Sequence, residues 1–337
     1  MNISTNYLGL KLKNPIVVGA CNLTSDVEML KKLEDAGAGA IVYKSLFEEQ
    51  IQLENLELHQ HMTDYDHRNA EMTDLFQEDL YEAGPEEFLM HFAEARKALS
   101  IPLIASLNCV YDDTWYTYAK KLEEAGADAL EVNFYAVPTD FDVDGRGILN
   151  EELDVIEGIK KVVSIPVSVK LSPFYTNPLF TIAEMDRRGA AGFVIFNRLF
   201  QPDINIESEK HHFPYNLSNE IDNRLALRFA GLLHGNVKGT IIASQGIFNG
   251  ADVIKMLLAG ADAVQVVSTL YKNGPKQISK MLQELEAWME TKGYQSIDDF
   301  KGKLSNKNSK DPFAYRRAQY VDILMKSGEI FKLYPMI

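Results

Sequence analysis

The stretch EEAGADALEVNF, residues 123–134, decides the fold. A helical pattern closes on Gly126-Ala127, and an apolar run follows almost at once. Glycine takes the left-handed conformation at a helix C-terminus at little cost, and the small alanine lets the next strand pack close to its helix. The same join recurs as EDAGAGAIVYKS (34–45), DRRGAAGFVIFN (186–197) and MLLAGADAVQVVS (256–268). Between these lie PIVVGA (15–20), PLIASLN (102–108), PVSVKLSP (166–173) and GTIIASQG (239–246). Three of them begin with proline, which suits the first position of a strand.

The result is eight short runs rich in Val, Ile and Ala, nearly continuously apolar, as parallel strands covered on both faces require. Helical patterns separate them, around 25–36, 86–99, 114–125, 151–163, 179–188, 220–234, 250–259 and 275–291. Eight alternations of strand and helix predict an α/β fold, a (β/α)8 barrel. A doubly wound open sheet would carry a Gly-rich turn after its first strand, and GACNLT (19–24) is not one. The barrel is expected over residues 1–291. Within it, 47–84 forms a long acidic insert after strand two, read as a lid or subunit-contact loop. Residues 292–337 form a C-terminal arm packing on the barrel, with a helical pattern in AYRRAQYVDILMKS.

The chain has 337 residues, with 34 Lys and Arg against 48 Asp and Glu, a net charge of −14. Acidity of this size disfavours nucleic acid and anionic membrane surfaces as partners. Two cysteines, Cys21 and Cys109, are too few for a disulfide framework and form no C-x-x-C. The opening MNISTNYLGLKLKNP has no apolar signal core, and no later run has the length of a membrane span. A cytoplasmic location is expected by default.

In such a barrel the site lies at the C-terminal ends of the strands. Those ends carry Ala20 and Cys21; Lys44 and Ser45; Ser106, Asn108 and Cys109; Asn133 and Tyr135; Lys170 and Ser172; Asn197 and Arg198; Ser244, Gln245 and Gly246; and Ser268 and Thr269. Any one Asn or Ser could merely end a ladder or cap a helix. Together they suit a large, planar, anionic ligand. SQGIFNGAD (244–252) and STLYKNGP (268–275) offer backbone N–H groups near helix starts and the hydroxyls of Ser268 and Thr269, the usual phosphate cradle of these barrels. Lys44 and Lys170 would point inward. A flavin answers both, because its N1–C2=O edge gains negative charge on reduction. A Schiff-base aldolase using one lysine as nucleophile is the alternative. Cys21 and Cys109 read as small buried fillers before they read as catalytic thiols. HQHMTDYDH (59–67) has metal-ligand residue types without a recognisable spacing, so no metal site is expected.

In order and spacing, several pieces resemble the soluble class 1 dihydroorotate dehydrogenases and their dihydropyrimidine dehydrogenase relatives. They are YLGLKLKNPIVVGA, the Lys44-Ser45 pair, PLIASLN, EEAGADALEVN, PVSVKLSP, Asn197, LSNEIDNRLALR (217–228), the QGI of 245–247 and GADAVQVVSTLY (260–271). The likeness covers about residues 5–290. It implies FMN as cofactor and a homodimer, with a separate electron-transfer partner possible. Carried over position by position, it places Ala20, Lys44, Asn108, Asn133 and Lys170 around the isoalloxazine. Ser244, Gln245, Gly246, Ser268 and Thr269 fall at its phosphate. Asn197 matches a substrate asparagine, and Arg198 could clamp a carboxylate unless an acid of the chain holds it. The resemblance implies oxidation of dihydroorotate or a related small substrate.

The substrate half departs from the family pattern. Asn-x-Ser-Cys-Pro-Asn is expected after strand four, and the chain reads Asn133-Phe134-Tyr135-Ala136-Val137-Pro138. Ala136 stands where the proton-accepting Cys or Ser belongs. Tyr135 beside it is a phenol of ordinary pKa about 10 unless a cation lowers it. Gln245 replaces a family glycine, which matters if its φ is positive. A family member that has lost the dehydrogenase reaction and serves as a binding or regulatory flavoprotein is the second reading.

Overall fold

A computed structural model describes residues 1–52, 85–135, 141–199, 202–212, 217–310 and 312–326, with Gly328 and Lys332. Eight parallel strands close a barrel: β1 (Ile16–Val18), β2 (Ala40–Val42), β3 (Leu103–Asn108), β4 (Ala129–Asn133), β5 (Val167–Leu171), β6 (Gly192–Ile195), β7 (Thr240–Ser244) and β8 (Ala263–Val266). Each pairs with its neighbour in sequence order, β8 pairs back to β1, and β2 joins β3 directly. The (β/α)8 expectation is met. A further two-residue strand, Leu46–Phe47, lies parallel to the end of β3.

The helices follow in register: α1 (Val27–Asp35), α2 (Pro85–Ala98), α3 (Asp112–Glu124), α4 (Gly145–Val162), α5 (Pro178–Arg187), α6 (Asn223–Leu233) and α7 (Gly250–Ala259). After β8 come the short α8 (Ser268–Asn273) and the long α9 (Gln277–Lys292). Starts are set by Asp26, Asn177 and Asn249, whose side chains accept from backbone N–H groups of the first turn. The four repeat glycines Gly37, Gly126, Gly189 and Gly260 all take positive φ, from +91° to +124°, as the joins require.

The side chains form two cores. Outward-facing residues of the strands, such as Leu130, Val132, Val167 and Val169, pack against the helices. Inside the barrel a smaller cluster joins Val17, Ala40, Val42, Ile104, Ala129, Val194, Ile242 and Ala263. The hairpin Thr5–Tyr7 with Leu10–Leu12 plugs its N-terminal end with Tyr7, Leu8 and Leu12. The strands are therefore not uniformly apolar in effect. Alternate positions of β3, β4, β5 and β8 turn Ser106, Asn108, Glu131, Asn133, Ser168, Lys170 and Gln265 away from the helix-facing side, and all seven are buried.

Beyond α9, residues 293–310 run back over α6 and α7 through backbone bonds from Gly302 to Leu257, Leu304 to Leu258 and Asn306 to Gly231. Helix α10 (Arg317–Met325) follows, and Arg228 of α6 reaches the Tyr315 carbonyl and the Gln319 side chain. His59, His61 and His67 and most of the insert lie outside the described residues, as does Ala136. Among the described residues no helix is long and apolar enough to cross a membrane, and no His, Cys, Asp and Glu group is placed to hold a metal.

Candidate active site

A cavity of about 320 Å³ opens at the C-terminal ends of the strands. It gathers Ala20 and Cys21 after β1, Lys44 and Ser45 after β2, Lys170 on β5, and Asn197 and Arg198 after β6. Ser244, Gln245 and Gly246 at the end of β7 and Ser268 at the start of α8 complete it. These are most of the positions read from the strand ends, brought together by barrel closure alone.

Each wall has a definite chemistry. On the β4–β6 side, Asn197 Nδ2 donates to Asn133 Oδ1 at 2.8 Å, so Asn133, which does not itself line the cavity, holds the Asn197 amide in place. Lys170 lines the floor and pairs in register with Asn133. Its Nζ lies 3.5 Å from Glu131 Oε1 below it. On the β7–β8 side the backbone comes close. A Cβ at Gly246 would stand 2.4 Å from the Asn223 nitrogen, and its φ is +66°, so only glycine fits. Gly246 N–H donates to Ser218 Oγ at 3.2 Å, and Ser218 N–H donates to Ser268 Oγ at 2.9 Å. Ile247, Val266, Val267 and Leu217 give the cavity apolar surface. Two cations, two linked hydroxyls beside a glycine turn, a held amide and apolar walls are the donor set that a phosphorylated planar heterocycle needs. The residues present fit FMN.

Not every expected position converges. Asn108 is buried on β3 but does not line this cavity. Thr269 is fully buried, and its hydroxyl donates to the Phe248 carbonyl, so Ser268 alone of that pair reaches the cavity. Tyr135 lines a neighbouring cavity with Cys109, Trp115, Phe134 and Glu152, on the far side of β4 from the lysines. Arg198 is ion-paired to Asp222 at 2.7 Å, the alternative to a free carboxylate clamp. Gln245 does take positive φ, +72°. Its Nε2 donates to the carbonyls of Phe196 and Asn197 at 3.0 and 2.7 Å, which ties the end of β7 to the end of β6. Burial raises the pKa of both thiols, and Glu48 and Glu49 add to the effect at Cys109. Neither thiol has the lowered pKa of an activated cysteine.

Two residues of the site were absent from the strand-end reading. Glu131 and Gln265 sit one inward step below the rim, on β4 and β8, and Gln265 Nε2 donates to Glu131 Oε2 at 2.6 Å across the barrel. The available signal was period two: Glu131 and Asn133 are two apart, as are Ser168 and Lys170.

The model of the family described as dihydroorotate dehydrogenase matches residues 60–289, most of the chain. The chain belongs to the dihydroorotate dehydrogenase family. Its relatives in this family include the catalytic subunit of dihydroorotate dehydrogenase B (NAD(+)) of Thermoplasma volcanium, 27% identical over 315 residues, covering 89% of this chain and 98% of that one. The protein of the same name from Methanocaldococcus jannaschii is 26% identical, covering 85% and 93%. Dihydroorotate dehydrogenase A (fumarate) of Lactobacillus helveticus is 30% identical over 213 residues, covering 60% and 68%. In this dihydroorotate dehydrogenase family member, Lys44, Lys170 and Asn197 line one cavity.

Proposed function

We propose that the protein is an FMN-dependent oxidoreductase that oxidises dihydroorotate, or a small cyclic substrate of the same kind, in the cytoplasm. The carrying observation is the single cavity that joins Lys44, Lys170 and Asn197 to the Gly246–Ser218–Ser268 wall. FMN bound there would supply the hydride acceptor, and the proton lost with the hydride would leave to water at the open rim. The chain's own groups bind and orient. Gly246, Ser268 and the Ser218 hydroxyl hold the phosphate end, with Ser244 beside them. Ala20 lets the backbone approach the ring system. Lys44 and Lys170 supply positive charge at the floor and wall, where charge develops on reduction. Asn197, held by Asn133, orients the substrate amides by donating and accepting. Gln245 fixes the Asn197 carbonyl and with it that side chain.

The names of the Thermoplasma and Methanocaldococcus relatives support a separate electron-transfer partner, since each is a catalytic subunit of an NAD(+)-linked enzyme. Residues 1–291 form the catalytic barrel in this reading, 292–337 its C-terminal arm, and two copies a homodimer. A second reading keeps FMN and drops dihydroorotate. It is favoured by the pairing of Arg198 with Asp222 and by the place of Tyr135 outside the lysine cavity. Flavin content separates both from an aldolase. The purified protein is expected to be yellow and to retain one FMN per chain after desalting. A colourless protein that takes up no added FMN contradicts both flavin readings.

A further inference from the structure

Below the cavity floor lies a buried acidic side chain. Glu131 is completely buried, inside the barrel, on the same face of β4 as Asn133. A carboxylate in that place is costly unless it is paired and hydrogen-bonded. Its Oε2 accepts from Gln265 Nε2 at 2.6 Å. Its Oε1 makes no hydrogen bond and faces Lys170 Nζ at 3.5 Å. The Tyr7 hydroxyl below it is also buried, and burial and the Glu131 charge both keep that phenol neutral. Lys170, only 8% exposed, thus stands between a buried carboxylate beneath and the cavity it lines above.

We propose that Glu131, anchored by Gln265, is the positioning residue and counter-ion of Lys170, so that the charge the cavity floor presents to the flavin is that of the pair. This rests on the reading of the cavity as an FMN site. Gly19 leaves room for the anchor, since a Cβ there would meet the Gln265 amide oxygen at 3.0 Å. Removing the negative charge while keeping the shape should leave the lysine's field uncompensated and favour the reduced, more anionic flavin. Glu131→Gln does this with little disturbance, because Gln265 Oε1 has no partner and can accept from the new amide. In Lys170→Met the stranded carboxylate should take up a proton instead.

Spectroelectrochemical titration of FMN-loaded protein, with infrared spectra of the apoprotein, tests this. Glu131→Gln is expected to raise the reduced-to-oxidised ratio at fixed potential about tenfold, about 30 mV for a two-electron couple. Glu131→Asp, which keeps the charge, should stay near the wild-type value. In a Lys170→Met background, Glu131→Gln should change nothing. Lys170→Met should also show a protonated-carboxyl band that is missing from Lys170→Met/Glu131→Gln. An unchanged potential in Glu131→Gln, an equal shift in Glu131→Asp, or no such band in Lys170→Met overturns the proposal. If Glu131→Gln does not fold, the infrared spectrum of Lys170→Met against wild type decides. Failure to bind FMN would overturn the flavin reading instead and leave that infrared test standing.

Discussion

Gln245 carries its side chain at a backbone conformation that usually belongs to glycine, φ +72°. That conformation costs roughly 1–2 kcal/mol for an L-residue. Two hydrogen bonds from Nε2, each contributing about 1 kcal/mol net, offset it. Gln245→Gly should therefore unfold in urea within about 1 kcal/mol of wild type, while binding of substrate at Asn197 weakens; equal loss of both would make the residue purely structural. Glu152 is a separate case. It is buried on α4, both its oxygens accept from the Tyr175 hydroxyl at 2.8 Å, and burial pushes its pKa from 4.5 up to about 7. A raised carboxyl pKa gives stability that is complete below the unfolded value and lost as pH rises through the folded one. Glu152→Gln should thus gain stability relative to wild type, on the order of 3 kcal/mol, between pH 4.5 and about 7 and stay level above. Chemical denaturation at a series of pH values measures it, and a flat difference contradicts the assignment.

At the scale of elements, the repeat holds the barrel's units together as well as ending its helices. The acid that opens three of the repeats accepts backbone N–H groups from the start of the next strand but one. Glu34 takes Ser100 and Ile101, Glu123 takes Ser164 and Ile165, and Asp186 takes Lys238 and Gly239, at 2.8–3.1 Å. The Ser164 hydroxyl and both amides lower the Glu123 pKa, which makes this stability present above the ordinary carboxyl value and lost in acid below it. Glu123→Ala should cost about 1.5–3 kcal/mol at neutral pH and progressively less in acid, by thermal or urea unfolding. The glycine joins and the helix–strand alternation were legible because they are local and repeated. The acid staples were not, because their partners lie 41 to 67 residues away, although the Ser-Ile-Pro that follows two of the joins, at 100–102 and 164–166, marks the receiving end. Rim residues were readable from their place after each strand. Which of them face one cavity was not, since the turn of Thr269 toward Phe248 and of Tyr135 away from the lysines depends on packing between units.

Across the whole molecule, among the described residues, the hairpin plugs one end of the barrel and the cavity opens at the other, the C-terminal rim. The buried pair of Glu131 and Lys170 spans the boundary between the apolar inner cluster and the cavity floor. The chain's charge of −14 also bears on the proposed electron partner, whose docking face should be basic or neutral rather than acidic. In the proposed function, substrate electrons pass to FMN at this rim. The most direct test is anaerobic mixing of FMN-loaded protein with dihydroorotate, followed in the visible flavin band. The account predicts bleaching of that band. An unchanged spectrum with dihydroorotate and with dihydropyrimidines would contradict it.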